Sequence, residues 1–177
     1  MILALILAII APPYTSWGKE AGGLQAGLGF ESGHQRAYAP GETVKLIVRV
    51  RNVGKEKVSF QYLRHYFIEN PPTVMNDLGE PLAFKDGTTL EPYKVMEAIV
   101  EPGKELELYE LSITLAEKAA TEPRGSMLYG EGKFQFRYGR ILGNSILTSV
   151  GIKYDPALEA LATGKLELEV KKGANPK

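Results

Sequence analysis

The sequence predicts an all-β protein, an immunoglobulin-like antiparallel β-sandwich of about 7–9 strands with one short helix near residues 156–162. Three observations predict it. Short stretches of alternating apolar and polar residues recur between residues 24 and 170, the period of a half-buried strand. Turn signals such as Pro40-Gly41, Asn76-Asp77-Leu78-Gly79 and Pro102-Gly103 stand between them. No strand–helix–strand spacing is found, which argues against a parallel sheet, and no segment repeats at a fixed period, which excludes solenoids and propellers.

Taken in order, Leu24, Ala26, Leu28 and Phe30 share one strand face. After the turn at 40–42, Val44, Leu46, Val48 and Val50 alternate with Lys45, Ile47, Arg49 and Arg51. Residues 52–57 form a turn around Gly54, and Val58, Phe60 and Tyr62 resume the alternation, so a hairpin is expected. Asn70-Pro71-Pro72 breaks the pattern, because proline cannot donate to a central ladder. Short strands are expected at 73–75 and 81–84, around the turn at 76–79, and another at 95–100. In the stretch 106–115, Leu106 and Leu108 fall on one parity and Leu111, Ile113 and Leu115 on the other, so a bulge is expected near Tyr109-Glu110. Residues 116–124 read as a loop or one helical turn, and 132–138 as a strand with Phe134, Phe136 and Tyr138 together. Asp155 as cap, Pro156 at the first position and Thr163-Gly164 as the stop mark the helix. Leu166, Leu168 and Val170 form the last strand, and 172–177 a frayed tail. Val44, Leu46, Val48, Val50, Phe134, Phe136, Leu166 and Leu168 are expected inside; Lys45, Arg49, Lys133, Gln135 and Glu167 outside.

The start of the chain differs. Residues 2–11 are unbroken apolar sequence closed by Pro12-Pro13, about half the length of a spanning helix. The run has the length of a signal h-region but lacks a basic front, and Ser16-Trp17-Gly18 is a poor cleavage site. It is either a signal or anchor with a degenerate front, or the end of the last helix of a longer membrane protein. The expected organisation is therefore a targeting or anchor segment over 1–17, a sandwich over 18–171 and a tail over 172–177.

Composition removes many chemistries. The chain has 177 residues, with Lys+Arg and Asp+Glu at 21 each, so no charge excess points to nucleic acid or to a membrane surface. It has no cysteine, which excludes disulfides, thiol catalysis and iron–sulfur clusters. Two histidines exclude a triple-histidine zinc site within one chain. No G-x-S-x-G or H-E-x-x-H motif is present, and neither Gly27-x-Gly29 nor Gly130-x-Gly132 has the third glycine of a phosphate cradle. No catalytic residue, cofactor or metal is expected. A soft-metal site would have to join His34 and His65 with Met75, Met96 or Met127, yet no two of these stand at ligand spacing.

A recognition surface is the remaining candidate. Arg64, Arg137 and Arg140 interleave with Tyr62, Tyr66 and Tyr138, which suggests an Arg/Tyr face, set against an ordinary solvated one. Glu105, Glu107 and Glu110 read as a solvated edge. The favoured partner-binding residues are Arg64, His65 and Tyr66, toward the end of a strand, with Asn70, Pro71 and Pro72. Arg and Tyr are common interface anchors, and a stiff Pro-Pro segment costs less ordering entropy on binding. The structural alternative is that Pro71-Pro72 only guards an edge strand. The other long, weakly patterned connections are 84–94 and 116–127.

Several segments resemble a known family. They are Trp17-Gly18-Lys19-Glu20, Gly23-Leu24-Gln25-Ala26-Gly27-Leu28, Arg36-Ala37-Tyr38, Gly41-Glu42-Thr43-Val44 and Val50-Arg51-Asn52-Val53-Gly54-Lys55. Later ones are Tyr129-Gly130-Glu131-Gly132-Lys133-Phe134-Gln135, Ile141-Leu142-Gly143-Asn144-Ser145 and 161–170. Together they resemble an extracytoplasmic β-sandwich domain of planctomycete bacteria. That domain follows the membrane part of antirepressor-type, penicillin-sensor-like metallopeptidases, and also occurs in other anchored or secreted proteins. The resemblance implies a membrane-anchored, periplasmic or cell-envelope location. Peptidase activity does not carry over, because H-E-x-x-H is absent. A looser similarity, through Arg51-Asn52-Val53, the turn at 74–79 and Pro102-Gly103-Lys104, is to bacterial β-sandwich proteinase-inhibitor domains. The expected function is a non-catalytic interaction or sensor ectodomain with a protein or envelope ligand. The alternative is an inhibitor-like module whose 70–77 loop enters a partner's cleft.

Overall fold

In the computed structural model, which describes residues 14–31, 36–82, 84, 94–116, 127–142 and 156–173, the alternating segments become strands of three sheets. The first sheet runs β1 (Thr15–Ala21), β2 (Leu24–Phe30), β4 (Thr43–Asn52), β9 (Glu105–Ala116), β10 (Met127–Tyr129). The second runs β3 (Ala37–Tyr38), β12 (Leu166–Val170), β11 (Gly132–Arg137), β6 (Thr73–Met75), β7 (Pro81–Leu82). A separate ribbon pairs β5 (Val58–Leu63) with β8 (Val95–Val100). The fold is all-β and sandwich-like. Its strands outnumber the expectation partly because β3 and β10 are too short to show a period, and because β1 was assigned in part to the leader. In three strands of each large sheet the order follows that of an immunoglobulin sandwich: β2-β4-β9 runs as A-B-E, and β12-β11-β6 as G-F-C. The pairing is not wholly antiparallel. At two sheet edges a short strand docks parallel, β10 on β9 and β3 on β12.

One contiguous core fills the space between the sheets. Leu24, Ala26, Leu28 and Phe30 of β2 and Val44, Leu46, Val48 and Val50 of β4 pack with Phe134, Phe136, Leu166 and Leu168, and the ribbon adds Phe60, Tyr62 and Ala98. Burying each large apolar side chain contributes about 1.5–3 kcal/mol. Lys45, Lys133 and Gln135 are exposed, as the alternation requires. Glu167 is instead half-buried, paired with Lys133 at 3.1 Å.

Arg49 departs further, at 5% exposed. Its neighbours on the outer face of β2 explain this. Gly27 stands opposite both Arg49 and Trp17, and Gly29 opposite Thr15. With no Cβ on either glycine, the Thr15 and Trp17 side chains lie down over β2. The guanidinium beside them donates to Glu107 Oε1 from Nε (3.1 Å) and Nη2 (2.8 Å), and from Nη1 to Thr15 Oγ1 and the Phe30 carbonyl (both 3.3 Å). Its polar demand is met, so burial is tolerated.

Other sequence expectations are corrected. The hairpin of 44–51 with 58–62 does not form, because β4 pairs with β2 and β9 while β5 pairs with β8. Asn52 redirects the chain: its Nδ2 donates to Glu56 O (2.7 Å) and Val100 O (2.8 Å), and its Oδ1 accepts from Gly54 N (2.9 Å). The bulge in β9 is present one residue earlier than expected, since Leu108 is the extra residue between the pairs Val48–Tyr109 and Arg49–Glu107. Arg64–Glu69 is a helix, α1, rather than a strand end. The helix expected at 156–162 is one 3-10 turn, Pro156–Leu158. Residues 15–17, assigned above to the leader, belong to β1 and pair with 27–29.

Asn52 is 1% exposed, so truncating it strands two carbonyls and an amide in the interior. We expect Asn52→Ala to cost about 3 kcal/mol and lower Tm by roughly 10 °C in calorimetry. Asn52→Asp, which keeps an acceptor for Gly54 but loses both donors, should lie close to it.

Candidate functional site

The first candidate region is α1 and the segment after it. No side chain caps its N-terminus, no acid occupies its first turn, and six residues are too few for a helix to stand alone. Tertiary packing holds it. Phe67 is fully buried, stacked on Tyr109 (5.1 Å between centroids, 10° between planes) and edge-on to Tyr138 (5.6 Å, 87°). The turn ends where the backbone N–H and Nδ2 of Asn70 both donate to Tyr66 O (2.9 and 3.0 Å). Of the six residues singled out from the sequence, Arg64 and Asn70 are exposed, Tyr66 and Pro71 half-buried, and His65 and Pro72 buried. The interleaved Arg/Tyr face does not form, because Tyr62 and Tyr138 turn into the core while Arg137 and Arg140 stay outside.

The segment 70–77 is not a projecting loop. Thr73–Met75 is held on both sides, by β11 and by β7. What projects is the next turn. Asn76 Oδ1 accepts from Leu78 N (3.1 Å) and Glu80 N (2.8 Å), its Nδ2 donates to Glu80 Oε2 (2.9 Å), and Gly79 takes φ +77°. Leu78 stands at the tip, 78% exposed.

A second region went unseen in the sequence. The backbone of 161–164 ties the two large sheets. Thr163 N donates to Tyr138 O and Tyr138 N donates to Thr163 Oγ1 (both 3.0 Å), while Gly164 N donates to Ser16 O of β1 (3.1 Å). The approach is so close that a Cβ on Gly18 would fall on Ala162 O. Beside it β1 bulges between Trp17 and Glu20, and Gln25 Nε2 donates to Gly18 O (3.1 Å). The result is an open groove of about 530 Å³, lined by Trp17, Lys19, Gln25, Arg137, Thr163 and Lys165 among others. Arg51 lies over the Trp17 ring (4.3 Å to the centroid) and donates to Gln25 Oε1 (2.8 Å). The visible clue was Gly27-x-Gly29 on the face opposite Leu24, Ala26, Leu28 and Phe30. Small residues on an outer strand face mark something lying across it.

Beyond the groove, Glu105, Glu107 and Glu110 are exposed, on the part of β9 that β10 does not reach, as a solvated edge requires. They stand opposite Arg51, Arg49 and Ile47 of β4, and Glu110 shares Lys45 with Glu31 (3.3 and 3.0 Å). The soft-metal candidates are dispersed: His65 is on α1, Met75 in the second sheet, Met96 in the ribbon and Met127 in the first sheet. His34 and most of the 84–94 and 116–127 connections lie outside the described residues. Among the described residues no group of three His, Asp or Glu is placed to hold a metal ion, and no helix is long and apolar enough to cross a membrane. No family model matches the chain, and no curated protein matches it.

Burial pushes the Tyr38, Tyr62 and Tyr66 hydroxyls above their ordinary 10.0, with Arg36, Arg64 and Arg140 respectively opposing the rise. Hydrogen bonds donated to carboxylates raise Lys45 (Glu31 foremost, then Glu110) and Lys133 (Glu167). In each case the folded state holds its proton more tightly than the unfolded one. That stability is complete below the unfolded pKa and is lost as pH rises through the folded one. Tm should therefore hold steady to about pH 9 and fall above about pH 10. Tyr62→Phe should make that fall shallower, as read by calorimetry against pH.

Proposed function

We propose that this protein is a non-catalytic, extracytoplasmic interaction or sensor domain of a membrane-anchored bacterial protein. Its partner surface would be centred on α1 and the Asn70 turn. The observation that carries the reading is the mounting of Arg64 and Tyr66 on a short helix, with Asn70 at its end, pinned by Phe67 into the core. Side chains presented on a pinned element lose little conformational entropy on binding, and Arg and Tyr are frequent interface anchors. The apolar run at 2–11 and the resemblance of 17–170 to an envelope domain support the location. His65 and Pro72, being buried, would act as supports rather than contacts.

One observation favours the inhibitor-like alternative, in a shifted form. The Asn76–Glu80 turn is braced by three hydrogen bonds of the Asn76 side chain, one donated and two accepted, and offers Leu78 to a partner's pocket. An apolar side chain on a rigid turn is a suitable anchor for a proteinase cleft.

Two variants separate the readings when the full chain is used to capture partners from an envelope fraction and is also assayed against a panel of serine and metalloproteinases. With recognition through α1, Arg64→Glu should reduce capture at least tenfold at unchanged Tm, and Leu78→Ala should not. An inhibitor would instead slow a proteinase and lose that effect in Leu78→Ala. Capture insensitive to Arg64→Glu contradicts the α1 reading.

A further inference from the structure

We infer that the groove between β1 and residues 160–165 is a binding site for a small polyanion, a molecule bearing two or more carboxylate or phosphate groups. The starting point is where cations gather. Some meet carboxylates: Arg36 with Glu42, Lys45 with Glu31 and Glu110, Arg49 with Glu107, Lys133 with Glu167, Arg140 with Glu159. Others do not, and of these Lys19, Arg137 and Lys165 stand together. They come from three separate stretches of chain, converge on one groove, and make no ion pair among the described residues.

The register sharpens this. Phe136 pairs with Leu166 in the antiparallel ladder of β11 with β12, so Arg137 and Lys165 are the next positions across from each other. Like charges facing each other across a ladder are destabilising by themselves. The nearest acid along β12, Glu167, is engaged by Lys133. An anion seated between the two cations removes that repulsion.

The rest of the lining is compatible. The Trp17 indole N–H makes no hydrogen bond among the described residues, and Gln25 is committed to Gly18 O and Arg51. Among the described residues no Asp or Glu lines the groove. At about 530 Å³ the space lies within the roughly 300–1,000 Å³ typical of small-ligand sites. Its walls are rigid, because the 161–164 backbone is bonded on both sides, to Tyr138 and to Ser16. Three cations call for a ligand with more than one negative group. A bidentate guanidinium at Arg137 suits either carboxylate or phosphate.

Trp17 is the chain's single tryptophan, so its fluorescence reports on the groove directly. The full chain is titrated at low ionic strength with citrate and, separately, with pyrophosphate, by fluorescence and by calorimetry on the same samples. Saturable binding of either probe is expected, and which one binds more tightly identifies carboxylate or phosphate as the recognised group. Arg137→Gln and Lys165→Gln should each weaken it roughly five- to tenfold at unchanged Tm. Lys55→Gln, exposed and outside the groove, should leave it as it was. Added salt should weaken it too. Absence of both a fluorescence change and heat with both probes overturns the inference. So does binding that falls equally in Lys55→Gln, which would mean a diffuse attraction to surface charge.

Discussion

The side-chain amide of Asn52 is the constraint on which the arrangement of the sheets depends. It sits at the end of β4, the middle strand of the first sheet, where the chain must leave for the β5–β8 ribbon. A fully buried amide with two donors and one acceptor fixes that departure by binding Glu56 O, Val100 O and Gly54 N at once. The backbone around it extends the junction. Asn52 N donates to Lys104 O, Gly103 N to Asn52 O, and the amides of Val53 and Gly54 to Gly23 O. Four connections therefore meet around one residue: the β1–β2 turn, the exit of β4, the end of β8 and the β8–β9 turn. Each partner is a backbone group that burial would otherwise leave unpaired, so the junction holds as a unit.

A second clasp closes another part of the sandwich. Thr163 fastens to the chain just past β11, and Gly164 to β1, so 161–164 is a bridge between the two large sheets. Only glycine at 18 permits that approach. The groove is a consequence of this bridge: the β1 bulge and the bridging backbone form its walls, and the cations come from whatever strand ends are nearest. The outer face of the first sheet follows from a similar economy. Two glycines on β2 let Thr15 and Trp17 lie flat, and the arginines beneath and beside them are drawn into hydrogen bonds rather than left in water.

Period-two alternation made the core strands legible, because one face of each had to be apolar: β2, β4, β11 and β12 stand where the pattern places them. The bulge in β9 was legible for the same reason, as a change of parity between Leu108 and Leu111. What alternation cannot report is which strand pairs with which. Val58, Phe60 and Tyr62 look like the second half of a hairpin, and only the buried amide of Asn52 sends them elsewhere. The helix at Arg64–Glu69 carries no cap or local propensity signal, since aromatic packing of Phe67 creates it. Arg49 was misplaced because its burial depends on the strand two positions away, through Gly27 and Gly29. The residues at α1 were singled out from their chemistry, but the division into exposed Arg64 and buried His65 is a helical outcome. The groove was hidden, since Trp17 stood next to an apolar leader and its other walls are distant in sequence.

Both proposed surfaces depend on the same rigidity. A presented turn at α1 and a walled groove beside β1 bind with little ordering cost only if the clasps do not open. Native-state hydrogen exchange at individual amides measures that opening directly. The account predicts that the amides of Asn52, Gly54, Gly103, Tyr138, Thr163 and Gly164, none of them inside a strand ladder except Asn52, exchange as slowly as those at the centre of β4. Exchange at those six positions as fast as at the exposed Lys55 and Lys57 would contradict it.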